Sequence, residues 1–357
     1  MHTENKKNFN TIVIGGGQAG LATGYYLKKI QEDFIILDAS EKIGDSWRNR
    51  WDSLRLFSAN WANALPGYPF SSRGKLFPGK DEVADFMYSY AHKFGLPVLT
   101  QTKVTGLIKK GAEFEITSSA GIFNCKNVVI ANGGYAIPKV PAFSKSVAPE
   151  IIQLHASTYR RSTDLPTGNI LVVGAGTSGI QIAIDIAGPQ RKIYLSGNPT
   201  LKIPDFILKY FGKQFVWAMN NIMTIKTKPG RKLEHQIKVK GAGAPLINIS
   251  MKDAEMAGVE HVSRVTTIQQ GYPVLEDKRL MKVAAIIWCT GFHPDFSWIK
   301  LDEIADEKGY PLAYRGVSKK HKGLYFVGMT FQYALTSAWL AGVGRDAKYI
   351  VDHIRQN

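Results

Sequence analysis

An α/β protein of two similar halves, the second inserted into the first, is what this 357-residue sequence predicts, and three observations carry it. An apolar run, a glycine-rich turn and an amphipathic helix follow one another at residues 11–38. The same succession returns at 169–196. Gly15 and Gly174, which open the two turns, stand 159 positions apart (174 − 15), which means two related domains and not a solenoid. Each copy has the form of a βαβ unit, so the expected fold is two Rossmann-like dinucleotide-binding domains of the FAD/NAD(P) kind.

The run TIVIG is continuously apolar and reads as a strand buried on both faces. Gly15, Gly17 and Gly20 then fit GxGxxG, with Gln18 and Ala19 inside the motif. One glycine makes the tight turn, one lets a pyrophosphate approach the backbone, and one lets helix pack on strand. The helix LATGYYLKKI begins there and offers unpaired N–H groups to phosphates. FIILD returns as a second strand ending in Asp38, eighteen residues past Gly20 (38 − 20), where a carboxylate can accept hydrogen bonds from ribose hydroxyls. KDEVADFMYSYAHKFGLPV reads as a helix opened by Asp81 and Glu82 and stopped by Gly95 and Pro97. KVTGLIKK, EFEITSS and FNCKNVVIANGG read as strands of a small sheet.

NILVVG opens the second unit, with Gly174, Gly176 and Gly179 in the same spacing and Thr177 and Ser178 between them. Eighteen residues past Gly179 lies Gly197 (197 − 179), flanked by Ser196 and Asn198, where the first unit has its acid. Without a carboxylate to repel a 2′-phosphate, NADPH is admissible and preferred, with NADH tolerated. Arg191, Lys192 and Lys202 are the cations available to meet that phosphate. A basic, aromatic insert follows, in which residues 202–240 carry nine Lys or Arg against Asp205 and Glu234. KVAAIIWCTGF, with Thr290 and Gly291 at its end, and GLYFVGM read as late strands, and SAWLAGVGRDAKYIVDHI as a terminal helix. The expected domains are 1–160 with 287–357, and 161–286.

Composition narrows the function. A formal charge of +16 invites a nucleic-acid partner, but no nucleic-acid motif accompanies it, so a solvated basic surface that attracts anionic cofactors is preferred. The polar start MHTENKKNFN is unlike a signal peptide, and no apolar stretch reaches spanning length. A cytoplasmic protein without stable membrane insertion is expected, with a membrane-surface contact by the insert left open. Cys125 and Cys289 make neither a disulfide framework nor a CxxC pair, and the scattered histidines lack zinc spacing, so no metal is expected. Two dinucleotide sites suit a resident group with a redox-active ring, which makes FAD the candidate, and a visiting nicotinamide that donates hydride.

With IGDSWRNRWDSLRLFS, LHASTYR, IIWCTGFHPDF and GLYFVGMTFQ added to the two fingerprints, the chain resembles the flavin-containing monooxygenases, a group that also holds Baeyer–Villiger enzymes, over nearly its whole length. The resemblance implies FAD in the first fingerprint and NAD(P)H in the second. It implies a loop beside the flavin carrying Gly44, Ser46, Trp47 and Arg48, with Val104 on the FAD side and Gln332 and Gly344 near the ring. It also implies a C4a-hydroperoxide of the reduced flavin that passes one atom of O₂ to a small organic substrate, a sulfide, amine or ketone, with sulfoxidation the easier reaction. A homodimer is admissible.

The chain departs from the group in places. Pro149 and Ile151 replace the aromatic and glycine of FxGxxxH, leaving His155, with Tyr159 after it. Phe57 falls where many relatives carry an asparagine beside the flavin, and Asn60 and Asn63 are the nearest amides. Arg55 and Arg48 are candidates to stabilise a peroxide anion. Gly328 is followed by Met329, not the Asp of disulfide reductases. A thioredoxin-reductase-like enzyme, a dithiol-independent flavin reductase and a redox-sensing flavoprotein stand as alternatives.

Overall fold

The computed structural model describes residues 7–71, 76–189, 191–239 and 243–356. Strand β1 (Lys7–Ile14), helix α1 (Gln18–Lys29) and strand β2 (Phe34–Leu37) form the first βαβ unit. A one-turn helix α2 (Asp45–Arg48) precedes α3 (Lys80–Lys93), which Glu82 caps by accepting from the Gly79 N–H at 2.8 Å. The chain continues through β3 (Val98–Leu99) into the meander β4 (Val104–Lys110), β5 (Glu113–Ser118) and β6 (Gly121–Ile130).

The short β7 (Ile137–Pro138) leads out to β8 (Ile152–His155), and β9 (Ile170–Val173), α4 (Thr177–Ile186) and β10 (Ile193–Ser196) make the second βαβ unit. The basic insert folds as α5 (Asp205–Asn221) and α6 (Lys228–Lys238). After α7 (Met251–Met256) come β11 (Val259–Val262), the hairpin β12 (Val265–Gln269) and β13 (Tyr272–Leu275), and β14 (Ala285–Trp288). The chain returns through β15 (Phe292–His293), β16 (Ala313–Tyr314), β17 (Val317–Ser318) and β18 (Leu324–Phe326) to the terminal α8 (Leu340–Gln356).

Two sheets result. The first runs β16-β17-β18-β6-β1-β2-β3, and β18, β6, β1, β2 and β3 are mutually parallel. The second runs β11-β10-β9-β14-β8, parallel throughout. The inner residues of β1 (Thr11–Ile14) and all of β9 are buried, as strands covered on both faces must be. The sheets displace the expected domain boundaries, because β8 and β14 both belong to the second sheet. Residues 152–155 and 287–288 therefore lie in the second sheet, which runs in sequence from β8 to β14. The sequence pattern of β14 is that of any buried strand. Its partner is settled only by tertiary pairing.

The two crossings between halves lie side by side. β7 pairs antiparallel with β15, and the Lys139 N–H donates to the Gly291 carbonyl at 2.9 Å.

Candidate functional site

The two glycine turns are built alike. A Cβ on Gly15 would stand 2.7 Å from the Ala131 carbonyl oxygen after β6, and one on Gly174 would collide with the Cys289 carbonyl after β14. Cβ atoms on Gly20 and Gly179 would collide with the carbonyls of Gly15 and Gly174. Only glycine lets helix and strand approach so closely. The middle glycines differ in kind: around Gly17 and Gly176 a Cβ would meet nothing within 4 Å. That open space lies at the N-terminus of α1 and of α4, where N–H groups have no intrahelical acceptor. Both turns thus have the free volume and donors a pyrophosphate needs.

Asp38 ends β2 beside the first turn. One carboxylate oxygen accepts from the Gly16 N–H at 2.5 Å and the other from the Ser40 N–H at 2.8 Å, which leaves further lone pairs for hydroxyls.

From this turn a cavity of about 690 Å³ extends across the carboxyl ends of β1, β2 and β6 to the second half. Gly15, Gly17, Gln18, Ala19, Asp38, Ser46, Trp47, Phe57, Val104 and Ser178 of the expected residues line it. Ser178 belongs to the second fingerprint, so both glycine turns reach one cavity. Gln18 fixes the wall: it accepts from the Trp47 indole N–H at 3.2 Å and donates to the Ala338 carbonyl at 3.1 Å. Two lining residues hold buried polar atoms without a protein partner, the indole N–H of Trp51, which is 5% exposed, and Oδ1 of Asn132. Orphaned buried polar atoms are rare in folded proteins, and here they suit a polar ligand. Volume, cradle and orphans together fit a flavin dinucleotide.

Several expected residues lie elsewhere. Gly20 sits under the turn, and Gly44 packs on Ala84 of α3. Arg48 turns outward to Asp45 (2.6 Å) and Asp85 (3.3 Å), and Arg55 faces Glu82 at 3.8 Å while its carbonyl accepts from Gln181. The cations that line the cavity are Lys103 and Arg50, and Arg50 lies over the Phe292 ring at 5.7 Å, with a pKa that burial pushes below its ordinary range. Trp47, Arg50, Trp51 and Leu54 all line the cavity at helical spacing i, i+3, i+4, i+7, a signal legible in WRNRWDSL.

Neither Asn60 nor Asn63 lines the cavity: Asn60 accepts from the Trp61 N–H at 2.7 Å, and Asn63 is buried against Ser58. Phe57 is on the wall, edge-to-face with Trp339 at 4.8 Å. Gln332 is buried and donates to the Arg315 carbonyl at 3.2 Å, and Gly344 packs on Pro66. The late segment enters the cavity through Gly328 and Ala338–Leu340 instead, where α8 begins.

In the second half, Gly174, Gly176, Thr177 and Gly179 form the turn itself, and Gly197 and the exposed Asn198 follow β10. The Ser196 hydroxyl is spent on the Ser263 carbonyl (2.9 Å) and the Val265 N–H (3.1 Å). Arg191 and Lys192 precede β10 and so stand a strand length, about 13 Å, from its ligand-binding end. Lys202 is on the correct side but pairs with Asp205 at 2.7 Å. His261 of β11, bonded to the Gly197 carbonyl at 2.8 Å, flanks this end, with the exposed Arg264 two residues past β11, positions the sequence reading missed because β11 lies far along the chain.

Thr290 donates to the Lys139 carbonyl, and the Gly291 carbonyl contacts His155 Nε2 at 3.0 Å. These residues tie the hinge and do not line the cavity. His155 is buried there, with Nδ1 3.0 Å from Ser157 Oγ, and burial lowers its pKa. Tyr159 donates to Asp185 of α4 at 2.5 Å. Neither Cys125 nor Cys289 lines the cavity; burial holds the Cys125 thiol far above its ordinary range and pushes the Cys289 thiol up to about 12. Among the described residues no cluster has the makings of a metal site, and no helix is long and apolar enough to cross a membrane.

Comparison with known proteins agrees with this architecture. Residues 12–205 match the family described as pyridine nucleotide-disulphide oxidoreductase. An uncharacterized CzcO-like oxidoreductase of Geobacillus kaustophilus is 36% identical over 97% of this chain and 98% of its own. The probable indole-3-pyruvate monooxygenase YUCCA3 of Arabidopsis thaliana is 25% identical over 89% of this chain and 82% of its own. A flavin-containing monooxygenase from Stenotrophomonas maltophilia shares the fold with a TM-score of 0.79 at 24% identity, covering 98% of this chain and 99% of that one.

Proposed function

The chain belongs to the pyridine nucleotide-disulphide oxidoreductase family, and from that premise we propose that it is an FAD-dependent, NADPH-consuming monooxygenase acting on soft nucleophiles such as sulfides. The observation that carries this is the single cavity touched by both fingerprints, through Gly15 and Gly17 on one side and Ser178 on the other. A hydride donor held by one turn and an acceptor held by the other can meet there. Bound FAD would supply the redox chemistry, taking two electrons from a nicotinamide and activating O₂.

The protein's own residues bind, orient and keep water out. Asp38 takes a ribose, and the Gly17 turn and the start of α1 take the pyrophosphate. Trp47, pinned by Gln18, and Phe57, pinned by Trp339, wall the far end with rings that exclude water. The N-terminus of α8 at Leu340 gives that end a positive pole, and Arg50 gives it a full charge. In the second half, His261 beside Gly197 and the exposed Arg264 just past β11 are the groups suited to a 2′-phosphate, which favours NADPH over NADH. Neither thiol lines the cavity and burial raises the pKa of both, which argues against dithiol chemistry.

The test is to purify the protein, confirm bound flavin, and follow NADPH oxidation in air with methyl phenyl sulfide. Sulfoxide formed in step with NADPH consumed is the expected result. Release of all reducing equivalents as H₂O₂, with sulfide, amine and ketone each present, would refute the reading.

A further inference from the structure

The first cavity does not end at Phe57. Phe57, Ser58 and Trp339 are also walls of a second cavity of about 330 Å³. Its roof is one face of α5, where Leu208, Gly212, Phe215 and Val216 recur at helical spacing. Its floor is the 59–62 turn and Leu76–Phe77. The helix bends over this chamber: Phe211 leaves helical geometry (φ −125°, ψ 22°), and a Cβ on Gly212 would come within 2.9 Å of the Trp61 ring.

Charge is confined to the rim. Asp205 and Lys209 line the chamber, yet both are exposed; Asp205 pairs with Lys202, and Lys209 lies over Tyr210 at 5.2 Å. The remaining lining is aromatic, aliphatic or small, with only Ser58 and Asn248 polar. A charged molecule placed there would lose hydration without gaining a buried counter-ion. An uncharged ring would lose nothing and would bury apolar surface.

We propose that this chamber under α5 is the binding site for the organic substrate, and that it takes an uncharged, mainly apolar molecule carrying a thioether or ketone. The Phe57–Trp339 pair is the partition through which the reacting atom reaches the first cavity. The assignment rests on the monooxygenase reading for its chemistry, but its binding component does not.

Equilibrium binding of methyl phenyl sulfide is followed by ligand-observed NMR on the flavin-loaded protein, alongside steady-state kinetics and anaerobic flavin reduction by NADPH. Val216→Trp fills the chamber from its roof and is expected to weaken sulfide binding and raise KM at least about tenfold, while flavin reduction changes less than about twofold. Phe215→Ala enlarges it and is expected to tighten binding of 2-naphthyl methyl sulfide, which guards against a Val216→Trp protein that fails to fold. The cation benzyltrimethylammonium is expected to bind at least about tenfold more weakly than its neutral isostere neopentylbenzene. Wild-type affinities in both variants, no saturable sulfide binding to wild type, or equal binding of the cation overturns the proposal. Sulfide that binds under α5 but is never oxygenated leaves the site standing and removes the monooxygenase reading instead.

Discussion

Gly17→Ala separates a cradle that holds a ligand from one that only lets a helix pack. Gly17 has φ −75° and ψ −172°, extended backbone that alanine adopts without strain, and its added methyl would meet no atom within 4 Å. Removing a glycine's unfolded-state freedom at such a site stabilises a fold by about 0.4–1 kcal/mol. The methyl would, however, occupy the space a pyrophosphate needs. Loss of two charge-assisted hydrogen bonds at about 1.5–3 kcal/mol each sums to about 3–6 kcal/mol, or about 10²- to 10⁴-fold in Kd. Gly20→Ala is the mirror experiment: its methyl would collide with the Gly15 carbonyl and cost about 1–3 kcal/mol of stability through forced backbone shifts. Thermal melts of the apoprotein and the ratio of flavin to protein absorbance read both quantities. Gly17→Ala should melt at or above the wild-type temperature and purify nearly colourless. A yellow Gly17→Ala protein with wild-type flavin content defeats the cradle argument.

Other substitutions bear on the remaining parts of the site. Gly176→Ala, with the same extended backbone and open surroundings, should keep its flavin and lose reduction by NADPH in stopped flow. Arg50→Ala should slow turnover about 10- to 100-fold with flavin content intact, whereas Arg48→Ala, which removes an outward ion pair, should change it by less than about twofold; equal effects would deny Arg50 its place. His155 titrates lower folded than unfolded, so the unfolded chain binds the proton more readily and stability is lost as pH falls from about 6.5 toward the folded value. His155→Gln should flatten that acid limb in denaturant titrations, and an unchanged limb would place the titrating group elsewhere. Cys125→Ser with Cys289→Ser should retain NADPH-driven turnover within about twofold, and its abolition would reinstate thiol chemistry.

What could be read from sequence was local. Both βαβ units, the acid at Asp38 and α3 with its glycine stop are patterns within about thirty residues, where strand, turn and helix preferences act directly. The site residues that went astray depend on contacts between remote segments. Arg48 ends α2 and Arg50 follows two residues on, yet carboxylates at 45 and 85 hold Arg48 outward while Arg50 reaches the cavity. Gln332 and Gly344 are near the cavity in sequence, but the loop before α8 presents Ala338–Leu340 in their place. The parallel pairing of β14 with β8 and β9, which puts it in the second sheet, leaves no mark in its own residues.

The two cradles are alike in backbone, so the difference between a resident and a visiting dinucleotide must come from what surrounds them. The first has Asp38 bonded to Gly16 and a cavity walled by Trp47, Phe57 and Trp339 from three separate stretches of chain. The second ends at Gly197, followed by the exposed Asn198. Enclosure raises affinity only when the walls are already in place before binding, and here Gln18 joins α1, the Trp47 loop and the segment before α8 through two hydrogen bonds. A first ligand would therefore meet a preformed chamber and be retained. A second would meet an end followed by exposed chain, which suits the proposed role of a reductant exchanged in every turnover.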